Sequence, residues 1–116
     1  MSSIRTHEVR GFLVIDISGR LSLMERDLRE AVQRSVMAGH RQFILKMNAV
    51  SYIDSCGLGE LVSIYTSVKR SGGNVRILAP SERVRELFDI TKLDTIFEIL
   101  EDTTPFADPA ARIMAT

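Results

Sequence analysis

The densest concentration of reactive side chains lies at Asp54-Ser55-Cys56-Gly57-Leu58-Gly59, where a carboxylate, a hydroxyl and a thiol stand in succession and glycines follow at alternate positions. An apolar run at residues 43–47 precedes this stretch and an amphipathic run at residues 58–68 follows it, the pattern of a strand passing into a helix. Asp54 and Ser55 therefore fall at a helix N-terminus. There the first N–H groups have no intrahelical acceptor, and side-chain oxygens take that place.

Several chemistries can be tested against the spacing. A serine nucleophile on a strand-to-helix elbow needs glycine two residues before it, but Ile53 holds that position, and His7 and His40 lie far from the motif. Phosphate loops of the Gly-x-Gly-x-x-Gly or Gly-Lys-Ser type are absent, because Gly59 is followed by Glu60 and Leu61. Cys56, the chain's one cysteine, has no second thiol or base nearby in sequence and reads as a small half-buried residue. No spacing suits a metal, and no cofactor loop is present, so no catalytic residue, metal ligand or cofactor is assigned. The surviving readings are a cap from Asp54 or Ser55, worth about 0.5–2 kcal/mol, and phosphorylation of Ser55, which adds about −1.5 to −2 charge at an exposed helix end. Neither explains why Gly57 and Gly59 occupy the first turns, where each costs about 1 kcal/mol relative to alanine. Tight packing on the sheet or close approach of another molecule's backbone remain open for them.

The elements that position this junction follow from periodicity. Residues 4–9 alternate weakly, Arg10-Gly11 marks a tight turn, and residues 12–18 form an apolar strand ending at Gly19, an opening β-hairpin with residues 4–9 at the sheet edge. Helical spacing of Leu28, Ala31, Val32, Ser35 and Val36 predicts a helix over residues 25–38 closed by Gly39. A buried strand at residues 42–47 completes a crossover, and residues 48–53 read as a loop leading to the motif. Leu58, Leu61, Val62, Tyr65 and Val68 mark the inner face of the next helix, which ends at Ser71-Gly72-Gly73 before a strand at residues 75–79. Pro80-Ser81 opens a third helix with Val84, Leu87 and Phe88 inward, joined by Thr91 or Leu93. A short last strand at residues 95–100 and a terminal helix, capped by Thr104 with Pro105 at its first position, complete an α/β layer structure around a mainly parallel sheet.

Composition bounds the partners. The 116 residues are 45 % hydrophobic and 26 % charged, which suits one globular domain with its own core. Fifteen Lys and Arg balance 15 Asp and Glu, leaving no global field to draw in nucleic acid or an acidic membrane. The lone cysteine, the polar N-terminus and the lack of a long apolar run point to a reducing cytoplasm.

The stretch Asn48-Ala49-Val50-Ser51-Tyr52-Ile53-Asp54-Ser55-Cys56-Gly57-Leu58-Gly59 resembles the phosphorylation motif of the STAS-domain anti-sigma factor antagonists, or anti-anti-sigma factors. The opening hairpin, the Gly72-Gly73 turn and Leu87-Phe88-Asp89-Ile90-Thr91-Lys92-Leu93 resemble family segments in the same order, so the likeness covers nearly the whole chain. It implies a single STAS domain over residues 1–116: a mixed, mainly parallel β-sheet of four to five strands with an opening hairpin, packed with about four helices.

The resemblance further implies a non-enzymatic, cytoplasmic monomer or weak dimer, with no direct contact to nucleic acid or membrane. Its partner would be an anti-sigma factor that is also a serine kinase of the histidine-kinase-like ATPase fold. Phosphorylation of Ser55 by that partner would break the complex and a serine phosphatase would restore it. The implied contact surface is Asp54, Ser55, Cys56, Gly57, Leu58 and Gly59 together with Ser22. Cys56 stands where relatives usually carry serine or threonine, leaving Ser55 as the acceptor, and Gly19-Arg20-Leu21-Ser22 stands where many carry an acidic pair. A STAS scaffold or ligand-sensing subunit of a larger signalling assembly is the alternative.

Overall fold

Apolar runs build the sheet, and the 3.6-residue patterns build one covering layer. The computed structural model describes residues 2–22 and 27–108. Its strands are β1 (Ser2–Val9), β2 (Phe12–Leu21), β3 (Gln42–Ile53), β4 (Asn74–Leu78) and β5 (Glu98–Leu100). Helices α1 (Asp27–Met37), α2 (Ser55–Arg70) and α3 (Glu82–Thr91) lie between β2 and β3, β3 and β4, and β4 and β5. The sheet order is β1-β2-β3-β4-β5, with β1 antiparallel to β2 and every later pair parallel. Arg10 and Gly11 close the hairpin at φ 52° and 84°, the positive pair whose twist matches that of the flanking strands.

Each crossover steps one strand in the same direction, and right-handed crossovers of that kind place every helix on one face. The packing agrees: Leu28 and Val32 of α1, Leu58, Leu61, Ile64 and Val68 of α2, and Val84 and Phe88 of α3 share one core with inward residues of the central strands. Burial of such side chains, at about 1.5–3 kcal/mol each, outweighs the Arg29–Glu60 ion pair that also bridges α1 and α2, since a partly exposed pair contributes about 1 kcal/mol at most. The opposite face carries a smaller cluster of Val14, Ile44 and Leu78, against which Val9, Phe12, Leu100 and Phe106 pack.

Several expectations need correction. β2 runs past Gly19 to Leu21, and residues 48–53, read as a loop, continue β3. Ser18 pairs with Ala49, Arg20 with Tyr52 and Leu21 with Ile53, with irregularities between Asp16 and Ser18 and between Gly19 and Arg20. In α2 the inward stripe is Gly57, Leu58, Leu61, Ile64 and Val68, while Val62 is exposed and Tyr65 half-buried; starting the helix at Ser55 fixes the phase. In α3, Val84 and Phe88 are buried and Leu87 partly so, whereas Thr91 is exposed and Leu93 is buried from the following 3₁₀ turn, Leu93–Thr95. That turn shortens the last strand to Glu98–Leu100. Three α-helices are present among the described residues rather than about four: Thr104 sits inside a 3₁₀ turn, Thr104–Phe106, instead of capping an α-helix. The rest of the expected terminal helix lies outside the described residues, as do Glu25 and Arg26 at the start of the first.

Candidate functional site

The site is assembled where β2 and β3 end side by side. Because Leu21 pairs with Ile53, the chain leaves the sheet at Ser22 and Asp54 from adjacent positions. Leu21 and Ile53 are fully buried and anchor this end to the core. Arg20 and Tyr52, also in register, lie on the other face, with the Arg20 guanidinium 4.5 Å from the centre of the Tyr52 ring. Such stacking contributes about 0.5–1 kcal/mol at an exposed site and holds the cation in place.

Asp54 is the N-cap of α2. Its backbone is extended, at φ −114° and ψ −176°, and its Oδ1 accepts a hydrogen bond from the Gly57 N–H at 2.9 Å. The first intrahelical bond, Leu58 N–H to the Asp54 carbonyl at 2.9 Å, starts beyond it. Ser55 thus occupies the first helical position, exposed, with its hydroxyl free of capping duty. Its first turn contains no acidic residue, so within this helix start the positive end of the dipole is met by the Asp54 carboxylate.

The expected contact residues separate into three groups by exposure. Asp54 and Ser22 are half-buried, while Ser55, Cys56 and Gly59 are exposed. Cys56, expected to be half-buried, is instead an exposed free thiol, because the second helical position faces away from the sheet. Gly57 and Leu58 turn inward: Leu58 is 7 % exposed and belongs to the core. A side chain at Gly57 would collide with the Leu21 carbonyl oxygen and come within 3.0 Å of Ile53 Cγ1. Gly57 is therefore the contact that lets the helix start directly over the end of β2, a requirement that sequence spacing alone does not reveal. A side chain at Gly59 would meet nothing within 4 Å. The Arg20–Tyr52 stack is a further feature that periodicity missed, because the register shifts hide which residues of β2 and β3 face each other.

Among the described residues no group of three or more His, Cys, Asp or Glu side chains is placed to hold a metal ion, and no helix is long and apolar enough to cross a membrane. The arrangement instead offers an exposed hydroxyl on a rigid helix start.

Comparison with known proteins places the chain. The STAS domain model matches residues 3–107. An anti-sigma-B factor antagonist of Staphylococcus epidermidis is 31 % identical over 99 residues, covering 84 % of this chain and 90 % of that protein. The chain belongs to the STAS-domain family of anti-sigma factor antagonists. The Bacillus subtilis anti-sigma-B factor antagonist is 48 % identical over a shorter stretch of 50 residues, 43 % of this chain and 46 % of that relative, so the match spans about half the relative's length. Among solved structures, the anti-sigma factor antagonist SpoIIAA in its unphosphorylated form superposes with a TM-score of 0.70 at 20 % identity, covering 98 % of this chain and 100 % of that one. The Bacillus cell fate determinant SpoIIAA in its phosphorylated form gives 0.68 at 20 % identity, covering 97 % of this chain and 98 % of that one. These superpositions establish the shared fold: a five-stranded mixed sheet with an opening hairpin and helices.

Proposed function

We propose that this STAS domain is an anti-sigma factor antagonist, a protein-binding module without enzymatic activity of its own, switched by phosphorylation of Ser55. The observation that carries the reading is the division of labour at the start of α2: Asp54 caps the helix, leaving the exposed Ser55 hydroxyl available for modification. Unmodified, the surface of Ser22, Asp54, Ser55, Cys56 and Gly59 binds an anti-sigma factor that is also a serine kinase of the histidine-kinase-like ATPase fold. Gly57 and Leu58 shape that surface from beneath. Gly59 fits the same reading, because the helix carries an exposed glycine whose Cβ position is open to a partner's backbone.

Phosphorylation adds about −1.5 to −2 charge beside the Asp54 carboxylate. The helix end accommodates part of that charge within the free protein. A partner surface shaped for a neutral hydroxyl must desolvate a dianion, so the complex separates. A serine phosphatase resets the module, which acts in the cytoplasm as a monomer or weak dimer. Relatives named as anti-sigma-B factor antagonists support the assignment of partner class, as does the existence of SpoIIAA in a phosphorylated form.

Mass spectrometry after incubation with the cognate kinase and ATP tests the acceptor. Phosphate is expected on Ser55, and modification elsewhere with Ser55 untouched overturns the assignment. In calorimetry, Ser55→Ala is expected to retain partner binding while Ser55→Asp weakens it by at least about 1.4 kcal/mol, or tenfold. Equal affinities for the two variants would remove the switch.

A further inference from the structure

The face of the sheet turned away from the helices holds a second cluster of charged groups. Cross-strand register sets Arg5 of β1 beside Asp16 of β2, and Asp16 beside Lys46 of β3, so a cation, an anion and a cation lie in one row across three strands. These side chains line a cleft of about 270 Å³, whose other wall is formed by Thr103, Phe106 and Ala107. A neighbouring hollow over Ser3, Ser18 and Ala49 shares Arg5 and Asp16 with it.

The wall is held by specific contacts. A carbonyl oxygen can only accept, so His7 Nε2–H donates to the Phe106 carbonyl at 2.7 Å, and the Phe106 ring meets Phe12 edge-on at 5.5 Å. Phe106 thereby closes over the small apolar cluster of this face and leaves the polar row beside it uncovered. Within the row, Lys46 Nζ lies 3.8 Å from Asp16 Oδ2, and both side chains are about one-third exposed, at 30 % and 35 %. Arg5 makes no ion pair among the described residues. Asp108 adds a second carboxylate to the lining and has an interaction of its own. The row across the strands therefore sets two cations against one carboxylate, with Thr103 and an aromatic ring beside it.

We propose that this cleft is a binding site for a small organic oxyanion, a carboxylate or a phosphate ester, held by Arg5 and Lys46 with its carbon skeleton against Phe106. The guanidinium of Arg5 supplies a planar pair of donors matched to such a group, and Lys46 adds a second positive charge. The volume lies near the lower end of the roughly 300–1,000 Å³ typical of small-molecule clefts, which suits a small metabolite. The site is independent of Ser55 and of any protein partner, so its test stands apart from that of the switch.

Amide chemical shifts of the isotope-labelled chain, titrated with succinate, glycerol phosphate and the neutral succinamide, provide the measurement. Saturable shifts at Arg5, Asp16, Lys46 and Thr103 are expected with at least one anion and not with succinamide; which anion binds identifies the source. Arg5→Met and Lys46→Met, whose spectra also report whether the fold is intact, are each expected to weaken binding about tenfold. Absence of these shifts with both anions, equal shifts with succinamide, or unchanged affinity in both variants overturns the proposal.

Discussion

Two strand-to-helix junctions on the same sheet use their serines in opposite ways. At the start of α3, Ser81 is itself the N-cap: its Oγ accepts from the Val84 N–H at 3.3 Å, its own N–H donates to the Met47 carbonyl at 3.1 Å, and Glu82 adds a negative charge to the first turn. Buried Pro80 fixes the entry to that helix. At the start of α2, capping has passed to Asp54, and Ser55 stands one residue further in, exposed, in a first turn without an acidic residue. One serine hydroxyl is committed to the fold, whereas the other caps nothing and stands exposed. The difference lies in one position of sequence shift, which explains why a hydroxyl near a helix start is weak evidence of function until its cap is identified.

Substitutions can break this contrast. The largest effect is expected from Gly57→Ala, which drives a methyl into the Leu21 carbonyl and should lower stability in urea unfolding by about 2–3 kcal/mol. An unchanged midpoint would show that α2 can start without resting on β2. Removing either cap, with Asp54→Ala or Ser81→Ala, should cost about 1 kcal/mol in the same assay. If Ser81→Ala were silent, the division of roles between the junctions would collapse.

Gly59→Ala, in open space, is expected to raise stability by about 0.5–1 kcal/mol while weakening partner binding. A gain in stability with undiminished affinity would separate Gly59 from the interface. Ser55→Ala should leave stability within about 0.5 kcal/mol of the parent yet abolish phosphate incorporation, measured by unfolding and mass spectrometry on the same sample.

The smallest effect lies on the other face. Asp102 accepts a hydrogen bond from the Thr104 N–H at 2.9 Å, which holds its carboxyl below the usual carboxylate range. A carboxylate with a lowered folded pKa supports the turn at Thr104–Phe106 above its unfolded value, about 3.9, and loses that support as pH falls through the folded one. The Thr104 amide shift should follow this titration, and a pH-independent shift would exclude the contact.

The legible parts of the chain were those where one period rules. Apolar residues 12–15 and 43–47 announced strands, and Arg10-Gly11 announced the hairpin. Residues 48–53 were misread because the shifted register places Val50 and Ile53 inward three residues apart, which breaks the alternation a strand is recognised by. The choice between Asp54 and Ser55 as cap needed backbone geometry, since both residue types serve. Gly57 was recognisable as costly but not as necessary, because the atom that requires it belongs to Leu21, remote in sequence. The excess of cations over Arg5, Asp16 and Lys46 was invisible in a chain of balanced charge, since it arises only when three strands are aligned.

β3 outlasts its neighbour: its pairing with β4 ends at Lys46, and from there to Ile53 its strand partner among the described residues is β2. The proposed acceptor therefore stands at the tip of a two-stranded ribbon rather than in the plane of the whole sheet. For an enzyme whose active site is recessed, such a substrate can be reached without first opening the folded chain. Under the Ser55 reading, the modification rate would be set by encounter and catalysis instead of by a local unfolding step. Variants that alter global stability, such as Ser81→Ala, would then change how long the protein lasts without changing how quickly it is switched.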